Sequence, residues 1–164
     1  MIFDLSFIDQ ATQKRHPKQR YQKPQSLKQL ESLCFKAKQA KYPGNPAVIK
    51  PSYRDDSANG LTKCIVAWLR LNGHFAARIN STGLYDPRLG KYRPSGARKG
   101  MADITAVVNG KHISIEIKIG KDRLRPDQTK IKAEVEAAGG RYLVVQNFDD
   151  FLGQIRTIFQ SKVE

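Results

Sequence analysis

Two acids and a lysine carry the chemistry that this sequence suggests. Asp103 lies on one side of the dipeptide Asn109-Gly110, and Glu116 and Lys118 lie on the other. Asn-Gly between the alternating runs ADITAVV and KHISIEIKI predicts a tight hairpin, because both turn positions call for positive φ. With those two residues as the turn, Val108 faces Lys111, Thr105 faces Ser114 and Asp103 faces Glu116. Opposed residues share a sheet face, and so do residues two apart. One face then carries Asp103, Thr105, His112, Ser114, Glu116 and Lys118. The other carries Ala102, Ile104, Ala106, Val108, Ile113, Ile115, Ile117 and Ile119. The second face is a core, and the first is too polar to be one. Opposed carboxylates repel, which a sheet does not adopt for stability. A divalent cation between them reverses the sign, and hard oxygen ligands suit Mg²⁺ or Mn²⁺. Cation, two acids and a lysine together can hold a phosphate, polarise it and activate water. The plain alternative is a salt bridge of Lys118 with Glu116 or Asp103 on a solvated face.

The elements that must position these residues are legible in the pattern. Ser57 to Asn72 reads as a helix, with Leu61, Cys64, Ile65, Trp68 and Leu69 on one side and Gly73 as its stop. HFAARIN, residues 74–80, is a short strand, and residues 81–100, rich in Gly and Pro, read as a long loop. After the hairpin, Pro126 opens a helix whose buried side is Ile131, Val135 and Ala138, stopped by Gly139-Gly140. RYLVVQ, residues 141–146, is a buried strand, parallel to KHISIEIKI by the crossover between them. A last helix spans about 149–160, with Phe151, Leu152, Ile155, Ile158 and Phe159 inward. The expected fold is α/β (α+β): helix, three strands, helix, strand, helix, with a mixed four-stranded sheet flanked by helices.

Ahead of this domain, residues 57–164, stands a basic N-terminal extension, residues 1–50. Over residues 10–50 of it, Lys14, Arg15, Lys18, Arg20, Lys23, Lys28, Lys36, Lys38, Lys41 and Lys50 face only Glu31. Within it SLKQLESLCFKAKQAKYP reads as a helix, with a capping box from Ser26 to Gln29. Its stripe of Leu27, Leu30, Leu33, Cys34 and Ala37 would dock on the main domain. The outward lysines fit either a solvated face or a DNA contact. Residues 42–56 have the composition of a linker.

Charge narrows the class of partner. The 164 residues hold 29 Lys and Arg against 15 acids, a net charge of +14. Such a chain repels itself unless a polyanion neutralises it, and nucleic acid is the usual one. Two separate cysteines make neither a disulfide framework nor a CxxC pair, and three scattered histidines argue against zinc. MIFDLSFIDQ is neither a leader nor a membrane span, so an intracellular, cytoplasmic location and no membrane partner are expected.

The stretch KGMADITAVVNGKHISIEIKIGKDRLRPDQ resembles the core of PD-(D/E)xK nucleases, most of all the VRR-NUC and phage Holliday-junction-resolvase-like branches. The resemblance covers about Ser57 to Gln146. It implies a restriction-endonuclease-like core in which Asp103, Glu116 and the Ile117 backbone carbonyl hold the metal and Lys118 positions or deprotonates the attacking water. It also implies that Gln128, on the following helix, points into the site. Ala102 replaces the proline of the family name, a residue that supplies no ligand. The first helix lacks the glutamate of many relatives: Asn59 stands near that place, with Asp55 and Asp56 before it, so one metal is expected. The function implied is an Mg²⁺- or Mn²⁺-dependent endonuclease acting on branched or structured DNA. The rivals are a catalytically silent DNA-binding protein and an RNA-binding module. A homodimer is compatible with all three.

The expected DNA contacts are Arg78 and Asn80, then Arg88, Lys91, Arg93, Arg98 and Lys99 interleaved with Tyr85 and Tyr92, then Lys121, Arg123 and Arg125. Arginine and lysine take phosphates, and tyrosine stacks on unpaired bases. A merely solvated loop is the competing reading of residues 81–100.

Overall fold

The computed structural model describes residues 21–80, 83–93 and 96–160. The readings of the first ten residues, and of Lys14, Arg15, Lys18 and Arg20, lie outside the described residues. Ten elements follow in order: α1 (Gln25–Lys41), α2 (Ala58–Leu71), β1 (Phe75–Arg78), β2 (Leu84–Asp86), β3 (Lys91–Arg93), β4 (Ile104–Val108), β5 (Lys111–Ile117), α3 (Pro126–Ala137), β6 (Arg141–Val145) and α4 (Phe148–Gln160). The fold is α+β, with a mixed sheet in the order β1-β4-β5-β6. β1, β4 and β5 run antiparallel, and β6 joins β5 in parallel through the α3 crossover.

The Asn109-Gly110 turn sets the register. Both residues have positive φ, 51° and 77°, as a type I′ hairpin requires. Val108 accordingly faces Lys111, and Ile104 faces Ile115. The apolar face of the hairpin meets Leu61, Cys64, Ile65 and Leu69 of α2 and Phe148, Phe151 and Ile155 of α4 in one buried core. Trp68 closes its edge against Phe151, ring centroids 5.4 Å apart. Ser57 caps α2, its hydroxyl accepting from Gly60 N at 3.2 Å.

Only the first turns of α1 join this core. Leu27 and Leu30 are fully buried and Cys34 packs at the rim, but Leu33 is 52% exposed and Ala37 is exposed. The Ser26 capping box does not form. Pro24 occupies the N-cap, and the Ser26 hydroxyl is buried without a partner. Asp55 ties the linker down, accepting from Tyr21 OH at 2.7 Å and from Phe148 N at 3.1 Å. That buried role takes Asp55 away from the candidate site, and Asp56 pairs with Arg54.

The polar face differs from expectation. α3 covers part of it, and Ala102, Ile131 and Tyr142 form a small second core there, with Met101, Val135 and Val144 beside them. Ala102 therefore packs on the side opposite to that predicted. The ladder begins only at Ile104 and residue 103 is a bend, so the two-residue alternation stops before it reaches Ala102. Ala138, assigned to the inward side of α3, is exposed because the helix ends one residue earlier. Residues 81–100 are not all loop, since β2 and β3 pair antiparallel within them, Leu84 with Arg93 through Asp86 with Lys91.

Candidate active site

Asp103, Glu116, Lys118 and Gln128 converge where the β4–β5 hairpin meets the start of α3. Asp103 sits just ahead of β4, and its Oδ2 accepts the Ile117 amide at 2.9 Å. Lys118 N bonds to Val145 O on the other side. Since extended backbone points the N–H and C=O of one residue the same way, the Ile117 carbonyl faces Asp103. Glu116 and Lys118 are both buried, at 3% and 4% exposure. Lys118 Nζ lies 3.0 Å from Glu116 Oε1, so the salt bridge considered above exists, but inside the protein and not on a solvated face. No ion pair of Lys118 with Asp103 accompanies it among the described residues; its second partner is Asp122, at 3.4 Å.

Gln128 points inward, as the resemblance implies. Pro126 starts α3, and Gln128 reaches back from its first turn with its oxygen on Arg125 N at 3.0 Å. Its amide nitrogen donates to Glu116 Oε1 at 2.6 Å. Glu116 Oε1 thus receives both Lys118 and Gln128, whereas Oε2 is buried with no hydrogen bond of normal geometry. An unbonded buried carboxylate oxygen is costly, and a bound water or cation would relieve that cost. Burial lifts the Glu116 carboxyl above the usual carboxylate range, and the Asp103 charge lifts it further, against the opposing pull of Lys118 and Gln128.

Two residues at the site escape sequence reasoning. Tyr142 pairs with Ser114 in register, and its buried hydroxyl approaches the Glu116 carboxylate without making a hydrogen bond of normal geometry. Burial, then the charges of Glu116 and Asp103 and the approach of its hydroxyl to the Glu116 carboxylate, push its phenol well up. The only sequence signal is a tyrosine inside an otherwise aliphatic strand. Asp122 follows Lys118 by four residues in a turn, where no periodicity announces a contact.

Asp103, Glu116 and Ile117 offer hard oxygen donors, and the unbonded Glu116 Oε2 fits a cation that seeks oxygen. No group of three or more His, Cys, Asp or Glu able to hold a metal occurs among the described residues. Water would therefore have to complete the coordination, as Mg²⁺ commonly allows. Asn59 accepts from Arg78 Nη2 at 2.7 Å.

The residues expected to meet DNA fall into two groups. Arg93, Arg98 and Lys99 are already paired, with Asp86, Glu134 and Asp127. The last two pairs pin the return segment of residues 96–100 to α3. Gly100, at φ +86°, permits the close approach, since a Cβ there would lie 2.5 Å from Asp127 O. Arg78, Asn80, Arg88, Lys91, Lys121, Arg123 and Arg125 are exposed. Lys121, Arg123 and Arg125 line the segment between β5 and α3, beside Lys118. His112 is exposed, 3.1 Å from Thr105 Oγ1, away from the acids. Cys64 is buried and its thiol is pushed up to about 12, chiefly by burial, an unreactive structural cysteine. No helix among the described residues is long and apolar enough to cross a membrane.

Comparison with protein-family models, with curated proteins and with solved structures finds no match to this chain.

Proposed function

We propose that this chain is a nuclease with a restriction-endonuclease-like core. It hydrolyses phosphodiester bonds in branched or otherwise structured DNA, as in replication, recombination or repair, with Mg²⁺ or Mn²⁺. One observation carries the reading: a buried glutamate with one oxygen saturated by Lys118 and Gln128 and the other unbonded, set beside a second carboxylate in a protein of net charge +14. Asp103, Glu116 and the Ile117 carbonyl would hold the cation. When bound, it supplies positive charge that polarises the phosphate and acidifies water. Gln128 fixes the Glu116 carboxylate from the side away from its unbonded oxygen. Lys118, tethered by Asp122, keeps an ammonium at the same face to orient water and meet the negative charge that develops on the phosphate. The exposed Lys121, Arg123 and Arg125 extend that positive rim for the DNA backbone.

A silent DNA-binding protein is the second reading, favoured by the way Lys118 already neutralises Glu116 without a metal. The two separate in one experiment. Labelled single-stranded, duplex, flap and four-way-junction DNA are incubated with the protein in Mg²⁺ or in chelator. Cleavage of a structured substrate only in Mg²⁺ supports the nuclease, whereas retention of every substrate uncut with binding intact favours the silent protein.

A further inference from the structure

The β2–β3 hairpin is an unusual object on this molecule. It presents large apolar side chains to solvent where a sheet would bury them: Tyr85 is 55% exposed, Leu89 56% and Tyr92 70%. Tyr85 and Tyr92 are directly opposed, and their rings meet edge to face with centroids 5.3 Å apart. The pairing of the two strands with each other is the only extensive packing either makes with another helix or strand among the described residues. The arm is nevertheless shaped. The buried Asp86 accepts from Arg88 N at 2.9 Å, its carbonyl accepts from Leu89 N at 3.2 Å, and it pairs with Arg93 across the strands. Gly90 completes the turn at φ +60°. Arg88 and Lys91 stand exposed at this end.

The position of the arm in the chain matters as much as its surface. Just before it, Ile79 N donates to the Asp103 carbonyl at 2.8 Å. Just after it, Arg98 and Lys99 are clamped to α3 by Glu134 and Asp127, and the chain then runs directly into Asp103. Both roots of the arm therefore sit beside the candidate acid.

We propose that this hairpin grips unpaired DNA: Tyr85 and Tyr92 stack on exposed bases, and Arg88 and Lys91 take the adjoining phosphates. Base stacking on aromatic rings tolerates any sequence but needs bases that are free of a duplex. The substrate class is then DNA in which a duplex opens into single strand, with the open strand held next to Asp103. The assignment rests on the nucleic-acid part of the function proposed above and deepens it. A cross-strand tyrosine pair also stabilises a hairpin that is marginal alone, so the test must separate stacking on bases from folding of the arm.

The full chain is titrated in chelator, where no cutting intervenes, against fluorescent oligo(dT), an abasic strand of equal length, a duplex of equal length and oligo(rU). Anisotropy should give tighter binding to oligo(dT) than to the abasic strand or to oligo(rU). The double substitution Tyr85→Ala with Tyr92→Ala should weaken oligo(dT) binding by about tenfold or more, and leave the abasic strand and the duplex within about twofold. The pair Tyr85→Phe with Tyr92→Phe keeps both rings and should retain the preference. An equal loss on all ligands, an unchanged oligo(dT) affinity, no rescue by phenylalanine, or tighter binding of oligo(rU) would each overturn the proposal. Because the readout is binding without metal, a protein that shows this pattern yet cuts nothing would remove the nuclease and leave the grip standing.

Discussion

Replacing Asp103 by asparagine removes one negative charge from the candidate centre while keeping the shape of the side chain. Two effects then oppose each other in the metal-free protein. Relief of repulsion from Glu116 gains at most about 0.2–1 kcal/mol, the scale of a directly opposed pair in a sheet, since Asp103 lies just outside the ladder. Against it, the Ile117 amide now donates to a neutral amide oxygen instead of a carboxylate. A bond to a charged group is worth about 1.5–3 kcal/mol and one to a neutral group about 0.5–1.5, so the exchange costs about 1 kcal/mol. From the strand pairing alone, the variant would be neutral or stabilised. The Ile117 bond moves the expectation to neutral or as much as about 1 kcal/mol less stable, a fall in Tm of no more than about 4 °C for a chain of this length. Mg²⁺ should separate the two proteins. At tenfold excess over Kd, binding linkage stabilises the unmodified protein by about 1.4 kcal/mol, which raises Tm by about 3–6 °C. The asparagine variant should gain less than half of that. Thermal melts of both proteins in chelator and in millimolar Mg²⁺ provide the measurement. Equal Mg²⁺ shifts in the two proteins, or none in either, would refute the metal site. A loss above about 3 kcal/mol in chelator would instead identify Asp103 as a structural partner whose removal strands a buried group.

Further expectations rest on the same residues. Asp103→Asn, Glu116→Gln and Lys118→Ala should each abolish metal-dependent cleavage while DNA binding persists by anisotropy; full activity in any two would sink the assignment. DNA affinity should fall steeply with salt, and joint replacement of Arg93, Arg98 and Lys99 by alanine should flatten the slope, by up to about 0.9 for each phosphate no longer neutralised. A slope that does not move would mean that Asp86, Glu134 and Asp127 retain these cations when DNA binds. The raised carboxyl of Glu116 has a signed consequence for the metal-free protein. Between its ordinary value of 4.5 and its higher value in the fold, the native state holds a proton that the unfolded chain has released. The stability it contributes is present below the ordinary value and is lost as pH rises through the folded one. Denaturant melts across that window should show the decline, and Glu116→Gln should reduce it.

What the sequence by itself determined is the part of the molecule whose rules are local. The Asn109-Gly110 turn and the alternation on either side fix which residues face each other from Val108 and Lys111 to Ile104 and Ile115. Asp103 lies one residue beyond that ladder, close enough for its charge to act on Glu116 but bonded to the Ile117 amide. The 3.6-residue stripes of α2 and α4 similarly announce their inner faces, and Pro126 announces the start of α3. Alternation fails as soon as the strand does, which is why it places Ala102 on the wrong side. The arm is not legible in this way: Asp86 and Gly90 bracket the turn that closes β2 on β3, but the Gly and Pro around it give the whole segment the composition of a loop. Tertiary structure alone decided that α3 lies over the acids, burying Glu116 and Lys118 on a face that composition marks as solvated. It also decided that Gln128 and Lys118 share one Glu116 oxygen and leave the other unbonded, and that acids distant in the chain claim Arg98 and Lys99. The physical reason is range. Periodicity and turn preferences act over a few residues, whereas burial and ion pairing depend on which helix the β5–β6 crossover lays across the sheet, and many sequence segments can satisfy that packing equally well.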